Sequence, residues 1–171
     1  MKSRNMKLKY LIAAIFIFSA SSCKDKLGNF SVSAPEGWTK TDSVSLSGRK
    51  MVRMQKIVLD TIPVFIENIN VTVFHYPDAE SYMNALISES KNSFSYFEEI
   101  GKGSAKINRY TGKWMQNVIQ LKGKSYLLDQ RVYLIEKRGN VYMITCTSKV
   151  KEFNKMKKEV NVVLNSFEIL E

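Results

Sequence analysis

The feature that most constrains this chain is a regular succession of strand-like runs and short glycine-bearing links through its second half. "AKINRY", "KWMQNVIQL", "YLLDQRVYLIEK" and "VYMITCTS" follow one another from Ser104 onward. Turns are expected between them at Thr111-Gly112, Gly123-Lys124 and Arg138-Gly139-Asn140. Parallel neighbours need crossovers of a dozen or more residues, so links this short imply antiparallel hairpins. "VYMITC" is apolar on both alternating sets, Val141 and Met143 against Tyr142, Ile144 and Cys146. A strand without a polar face is buried on both sides, so the sheet needs cover above and below.

Two helical patterns can supply that cover. After Pro77, Asp78 is a candidate N-cap, and Tyr82, Leu86, Ser90 and Phe94 recur at a spacing of four with Ala85 and Phe97 adjoining, which predicts a helix over 78–96. Gly101 and Gly103 are expected to close that region. Phe153, Met156, Val160, Val163, Leu164 and Phe167 recur at three-four spacing and predict a C-terminal helix over 150–165, with Lys151, Lys155 and Lys158 on its other face.

Upstream, "NFSVSAPEGW" alternates Phe30 and Val32 into a Pro-Glu-Gly turn, and "TKTDSVSLSG" is a polar stretch. "RKMVRMQKIVL" (49–59) and "VFIENINVTVFHY" (64–76) read as strands around a turn at residues 60–63, with Val71 and Val73 on one face and Thr72 and Phe74 on the other. "FEIL" fits a short closing strand. The expected class is α+β: an antiparallel sheet of about six or seven strands with two helices, forming one domain over 30–171. There is no internal repeat.

The N-terminus carries Lys2, Arg4, Lys7 and Lys9, then an apolar run from Leu11 to Phe18, then Ser19-Ala20-Ser21-Ser22-Cys23. This is the pattern of a secretory signal peptide, and the run is well short of the ~20 residues that span a bilayer. Small residues set against cysteine resemble a bacterial lipobox, with Ala20 where leucine is commoner. Residues 1–22 are then expected to be removed as a lipoprotein signal peptide, with Cys23 as the acylated first residue and 23–29 as a tether. Two or more acyl chains give stable anchoring where one does not. Lys24 replaces the aspartate that retains many lipoproteins at the inner membrane, which favours the outer membrane. Lys24-Asp25-Lys26 half resembles a surface-export signal, and the side of the membrane stays open.

Of the 26 basic residues four leave with the signal, so the remainder carries 22 against 16 acidic, a net +6. That balance favours anionic lipid or acidic glycan contacts, while secretion excludes nucleic acid as a partner. With Cys23 acylated, Cys146 has no partner and is expected as a small core side chain. A length of this order needs no disulfide scaffold.

The order of these elements resembles the PsbP-like proteins, including bacterial lipoproteins of the DcrB type. The residues carrying the resemblance are "FSVSAPEGW" (30–38), "NVTVF" (70–74) before the first helix, and "VVLNSFEI" (162–169). The resemblance covers nearly all of 29–171 and implies an α/β/α sandwich around an antiparallel sheet. It also implies docking to larger assemblies, and it carries no catalytic set.

Chemistry is sparse. His75 is the single histidine, too few for the usual zinc sites, and no second Cys/His cluster accompanies it, so neither metal nor cofactor is expected. It would act as a general base only if a serine or acid approached it in space. No nucleophile elbow, phosphate loop or zinc-helix motif is present, and Gly101-Lys102-Gly103-Ser104 reads as a loop. Glu98 and Glu99 are expected to point apart on a strand. Asp129 and Glu136 are expected to face solvent or pair with Arg131 and Lys137.

"NRYTGKWM" (108–115) is the most suggestive surface feature, because Arg109, Tyr110, Lys113 and Trp114 offer aromatic faces beside positive charge. That combination suits sugars, acidic glycans or a protein partner, and its ordinary alternative is hairpin packing. The leading expectation is therefore a non-enzymatic, lipid-anchored envelope accessory protein that docks to a protein assembly. The alternative is a carrier of a small apolar or amphipathic ligand, suggested by Met51, Met54, Phe65, Phe74, Phe94 and Met143.

Overall fold

In the computed structural model, residues 28–44, 49–58, 65–150 and 152–170 are described. The expected signal peptide, Cys23 and most of the tether lie outside these residues, as do the turn at 60–63 and Lys151. The chain runs β1 (Asn29–Ser31), β2 (Thr39–Val44), β3 (Lys50–Val58), β4 (Phe65–His75), α1 (Ala79–Ser93), β5 (Tyr96–Ile107), β6 (Tyr110–Gln120), β7 (Leu128–Lys137), β8 (Asn140–Lys149), α2 (Lys157–Ser166) and β9 (Glu168–Leu170). Seven strands form one antiparallel sheet in the order β2-β3-β4-β8-β7-β6-β5, and β1 pairs with β9 in a separate ribbon.

The α/β/α sandwich is present, and side-chain alternation assigns its two cores. One alternating set of the sheet (Val52, Met54, Ile69, Val71, Val73, Tyr133, Ile135, Tyr142, Ile144, Cys146) packs with Val160, Val163 and Leu164 of α2 and with Phe30 and Ile169 of the ribbon. The opposite set (Met115, Val132, Leu134, Val141) packs under Ala79, Tyr82, Met83 and Leu86 of α1. β8 contributes to both, which is why it lacks a polar face. Phe30 stacks on Phe167 at 5.9 Å, and both meet Tyr142 edge-on. The first and last of the family-like segments are therefore in contact.

Several boundaries differ from expectation. α1 ends at Ser93 rather than near 96, and β5 runs from Tyr96 with Gly101 and Gly103 inside it, so Gly101–Ser104 is strand and not loop. The β5–β6 reversal falls at Asn108-Arg109, where Asn108 takes φ 49°, and not at Thr111-Gly112. Gly112 is instead a strand residue under close approach: a Cβ there would lie 2.3 Å from the Leu134 carbonyl oxygen. Glycine marked tight packing here, and its turn propensity misled.

The Arg138-Gly139 turn is as expected, with φ of 52° and 70°, the mirror-image geometry that matches strand twist. α2 starts at Lys157 rather than near 150. Phe153 and Met156 are buried in successive turns before it, so their spacing reflects the same core face without a continuous helix. The polar stretch after Trp38 forms the edge strand β2, whose six side chains are all exposed. Its pairing with β3 comes from the backbone, which composition does not report.

Candidate functional site

The four side chains of the 108–115 segment are not brought together. Arg109 at the hairpin tip forms an ion pair with Glu168, and the Tyr110 hydroxyl accepts from the Ile169 backbone N–H at 3.0 Å. Both fasten the C-terminal strand. Lys113 projects to the α1 side and pairs with Glu80 at 2.8 Å, which raises the lysine's pKa through the hydrogen bond and charge of that carboxylate. Trp114 projects to the α2 side. Alternation along β6 sends the consecutive Lys113 and Trp114 to opposite faces, and the turn at Asn108-Arg109 leaves Arg109 at the hairpin tip.

On the α2 side, α2 and the β1–β9 ribbon cover the middle of the sheet. Beside them the β5–β7 end forms a cleft of about 300 Å³ lined by Ala105, Trp114, Gln116, Arg131 and Tyr133. Register places these side chains in rows, Trp114 opposite Tyr133 and Gln116 opposite Arg131. The indole lies against β5 where Gly103 and Gly101 leave room: a Cβ would fall 3.1 Å from Nε1 at the former and 3.5 Å from Cη2 at the latter. The Arg131 guanidinium stacks 4.1 Å above the Phe153 ring. Gln116 Nε2 donates to Asp129 Oδ2 at 2.8 Å.

Asp129 is buried, not solvent-facing as expected, though Arg131 is its charged neighbour. Burial raises its pKa, with the Gln116 hydrogen bond and the Arg131 charge opposing. Its Oδ1 has no hydrogen-bond partner among the described residues. Further along the same face, Ser148 donates to Glu67 Oε1 at 3.2 Å, and burial also raises the Glu67 pKa. Glu136 is exposed, and its Oε2 accepts from the Ala79 N–H at the start of α1.

His75 is exposed at the end of β4, opposite Asn140, and is not one of the side chains lining the cleft. Glu98 and Glu99 have separate partners, Tyr96 and Lys102. Cys146 is fully buried beside Arg131, and burial pushes its thiol far above the usual range. Among the described residues, no group of three or more His, Cys, Asp or Glu could hold a metal, and no helix is long and apolar enough to cross a membrane.

The side chains that suggested a carrier are divided between layers. Met54 belongs to the α2-side core, Phe74 and Met143 pack at the α1 side, and Phe94 joins a small cluster around Ile119 and Leu128. The Phe65 side chain lies outside the description. The cleft-lining residues that sequence reasoning missed are Ala105, Gln116 and Tyr133, with Arg131 seen only as a charge partner. The i, i+2 alternation of Gln116, Arg131 and Tyr133 with Trp114 and Asp129 was visible, but the register joining the two strands was not.

These features define a sandwich with a mixed aromatic and polar cleft at one end of its sheet. No family model and no curated protein matches the chain. Solved structures do. The cyanobacterial PsbP of Synechocystis aligns at a TM-score of 0.53 and 13% identity over 90% of this chain and 99% of that one. LpqN of Mycobacterium tuberculosis, described as involved in cell envelope biogenesis, aligns at 0.50 and 12% over 86% and 87%. A Bacteroides thetaiotaomicron protein aligns at 0.52 and 12% over 83% of this chain, which spans only 45% of that structure. At such identities the likeness establishes the fold, which is PsbP-like.

Proposed function

We propose that this chain is a non-enzymatic accessory protein of the bacterial cell envelope, of the DcrB type among PsbP-like proteins. It is anchored to the outer membrane through lipid on Cys23 and docks to a larger protein assembly. The observation that carries the reading is the PsbP-like fold, shared over most of its length with an envelope-biogenesis protein. Fold alone does not specify activity; the lipobox-like segment supports the address, and the cleft supports a binding role.

The test is crosslinking in intact envelopes followed by affinity recovery of the full chain. A reproducible envelope-protein partner is expected; recovery of none across independent preparations would overturn the docking reading. Tritiated palmitate labelling that persists in Cys23→Ala would overturn the anchor.

A further inference from the structure

We propose that the Trp114 cleft is a saccharide-binding site in which a neutral sugar ring stacks on the indole and presents its hydroxyls to Gln116 and Arg131. It rests on the reading of this chain as an envelope binding module and names the ligand class of that module's cleft.

Three observations carry it. First, the indole is a prepared platform. Gly101 and Gly103 let it lie against β5, and the partly buried ring lines the cleft. A flat aromatic face held in this way loses little conformational freedom on binding. Second, the planar polar groups beside it are already oriented. Gln116 is held by its bond to Asp129, which leaves its carbonyl end as an acceptor, and Arg131 is held by its stack on Phe153. Acceptor and donor lie side by side on paired strands, which matches the paired hydroxyls of a sugar ring.

Third, the lining disfavours two competing ligand classes. An acyl chain filling a cleft of about 300 Å³ would desolvate Gln116 and Arg131 without replacing their hydrogen bonds. A phosphate would meet one guanidinium whose charge is offset by the neighbouring Asp129. A neutral ring with several hydroxyls satisfies both groups and uses the indole.

The test is titration calorimetry on the full chain, purified in a zwitterionic detergent without a sugar headgroup, using chitobiose, maltotriose and digalacturonate. Saturable binding of at least one neutral sugar is expected, weakened about tenfold or more in Trp114→Ala, as for truncation of an aromatic anchor. Gln116→Ala keeps the indole and should also weaken binding, while Trp114→Phe should fall between wild type and Trp114→Ala. Unchanged circular dichroism spectra and melting curves exclude misfolding as the cause. Tryptophan fluorescence is a second readout, because Trp38, the other tryptophan, is buried.

Absence of saturable binding by both neutral sugars, binding that survives Trp114→Ala, or binding of digalacturonate alone would each overturn the assignment. Calorimetry needs no docking partner. A crosslinked partner recovered without sugar binding would therefore overturn this inference alone, and sugar binding without a partner would overturn only the docking reading.

Discussion

The Arg131 guanidinium lies 4.1 Å above the Phe153 ring, joining the strand floor of the cleft to the turns that lead into α2. Phe153 is buried, so Phe153→Ala should cost about 3–5 kcal/mol in stability. Phe153→Leu keeps most of the volume and should cost less, with about 0.5–2 kcal/mol of the loss due to the cation–π contact. Urea unfolding of Phe153→Leu and Arg131→Met, singly and together, measures that coupling.

Gly112→Ala should destabilise the β6–β7 pairing although the side chain is only one carbon. The added Cβ would sit 2.3 Å from the Leu134 carbonyl oxygen, and backbone cannot yield as a flexible side chain can. A loss of about 2–3 kcal/mol is expected from chemical denaturation.

Asp78 caps α1, accepting from the Ser81 backbone N–H at 2.7 Å, and that bond holds its carboxyl below the usual carboxylate range. Asp78→Ala should lower stability through the lost cap, while Asp78→Asn keeps an acceptor and should lose less. Thermal melts of the two variants against wild type provide the comparison.

Glu67 has its carboxyl raised above its ordinary value of 4.5, first by burial. The folded state therefore binds its proton more tightly than the unfolded chain does. Its contribution to stability is full below about pH 4.5 and is lost as pH rises through the folded pKa. Glu67→Gln keeps the Ser148 bond without a charge to bury, so it should be more stable than wild type at neutral pH. Its stability should also fall less between pH 4.5 and 7, measured by urea midpoints across that range.

Cys146 should be inert in the folded protein, because burial raises its thiol and denies access to reagents. In a Cys23→Ser variant, a thiol reagent at pH 8 should label Cys146 only after denaturant is added. Rapid labelling of the native variant would contradict the buried position.

The alternation of Val71 and Val73 against Thr72 and Phe74, the two apolar sets of "VYMITC" and the spacing of Tyr82, Leu86 and Ser90 all announced faces that the structure buries or leaves polar. These patterns are legible because side-chain direction follows local backbone period, 2.0 in a strand and 3.6 in a helix. The Arg138-Gly139 reversal was legible for the same local reason. Gly112 was misread because one residue type serves both tight turns and close approach of two backbones. β2 was missed because an edge strand with six exposed side chains has no apolar signal.

By itself, then, the sequence determined the class, the inward residues of most elements and the antiparallel connections of the second half. Only the tertiary structure decided that Trp114 and Gln116 meet Tyr133 and Arg131 of β7, and that Lys113 on the opposite face meets Glu80. The reason is register. Moving the turn from Thr111-Gly112 to Asn108-Arg109 resets which β5 residue meets which β6 residue, and the separate β6–β7 pairing that sets Trp114 opposite Tyr133 depends on contacts across the whole sheet.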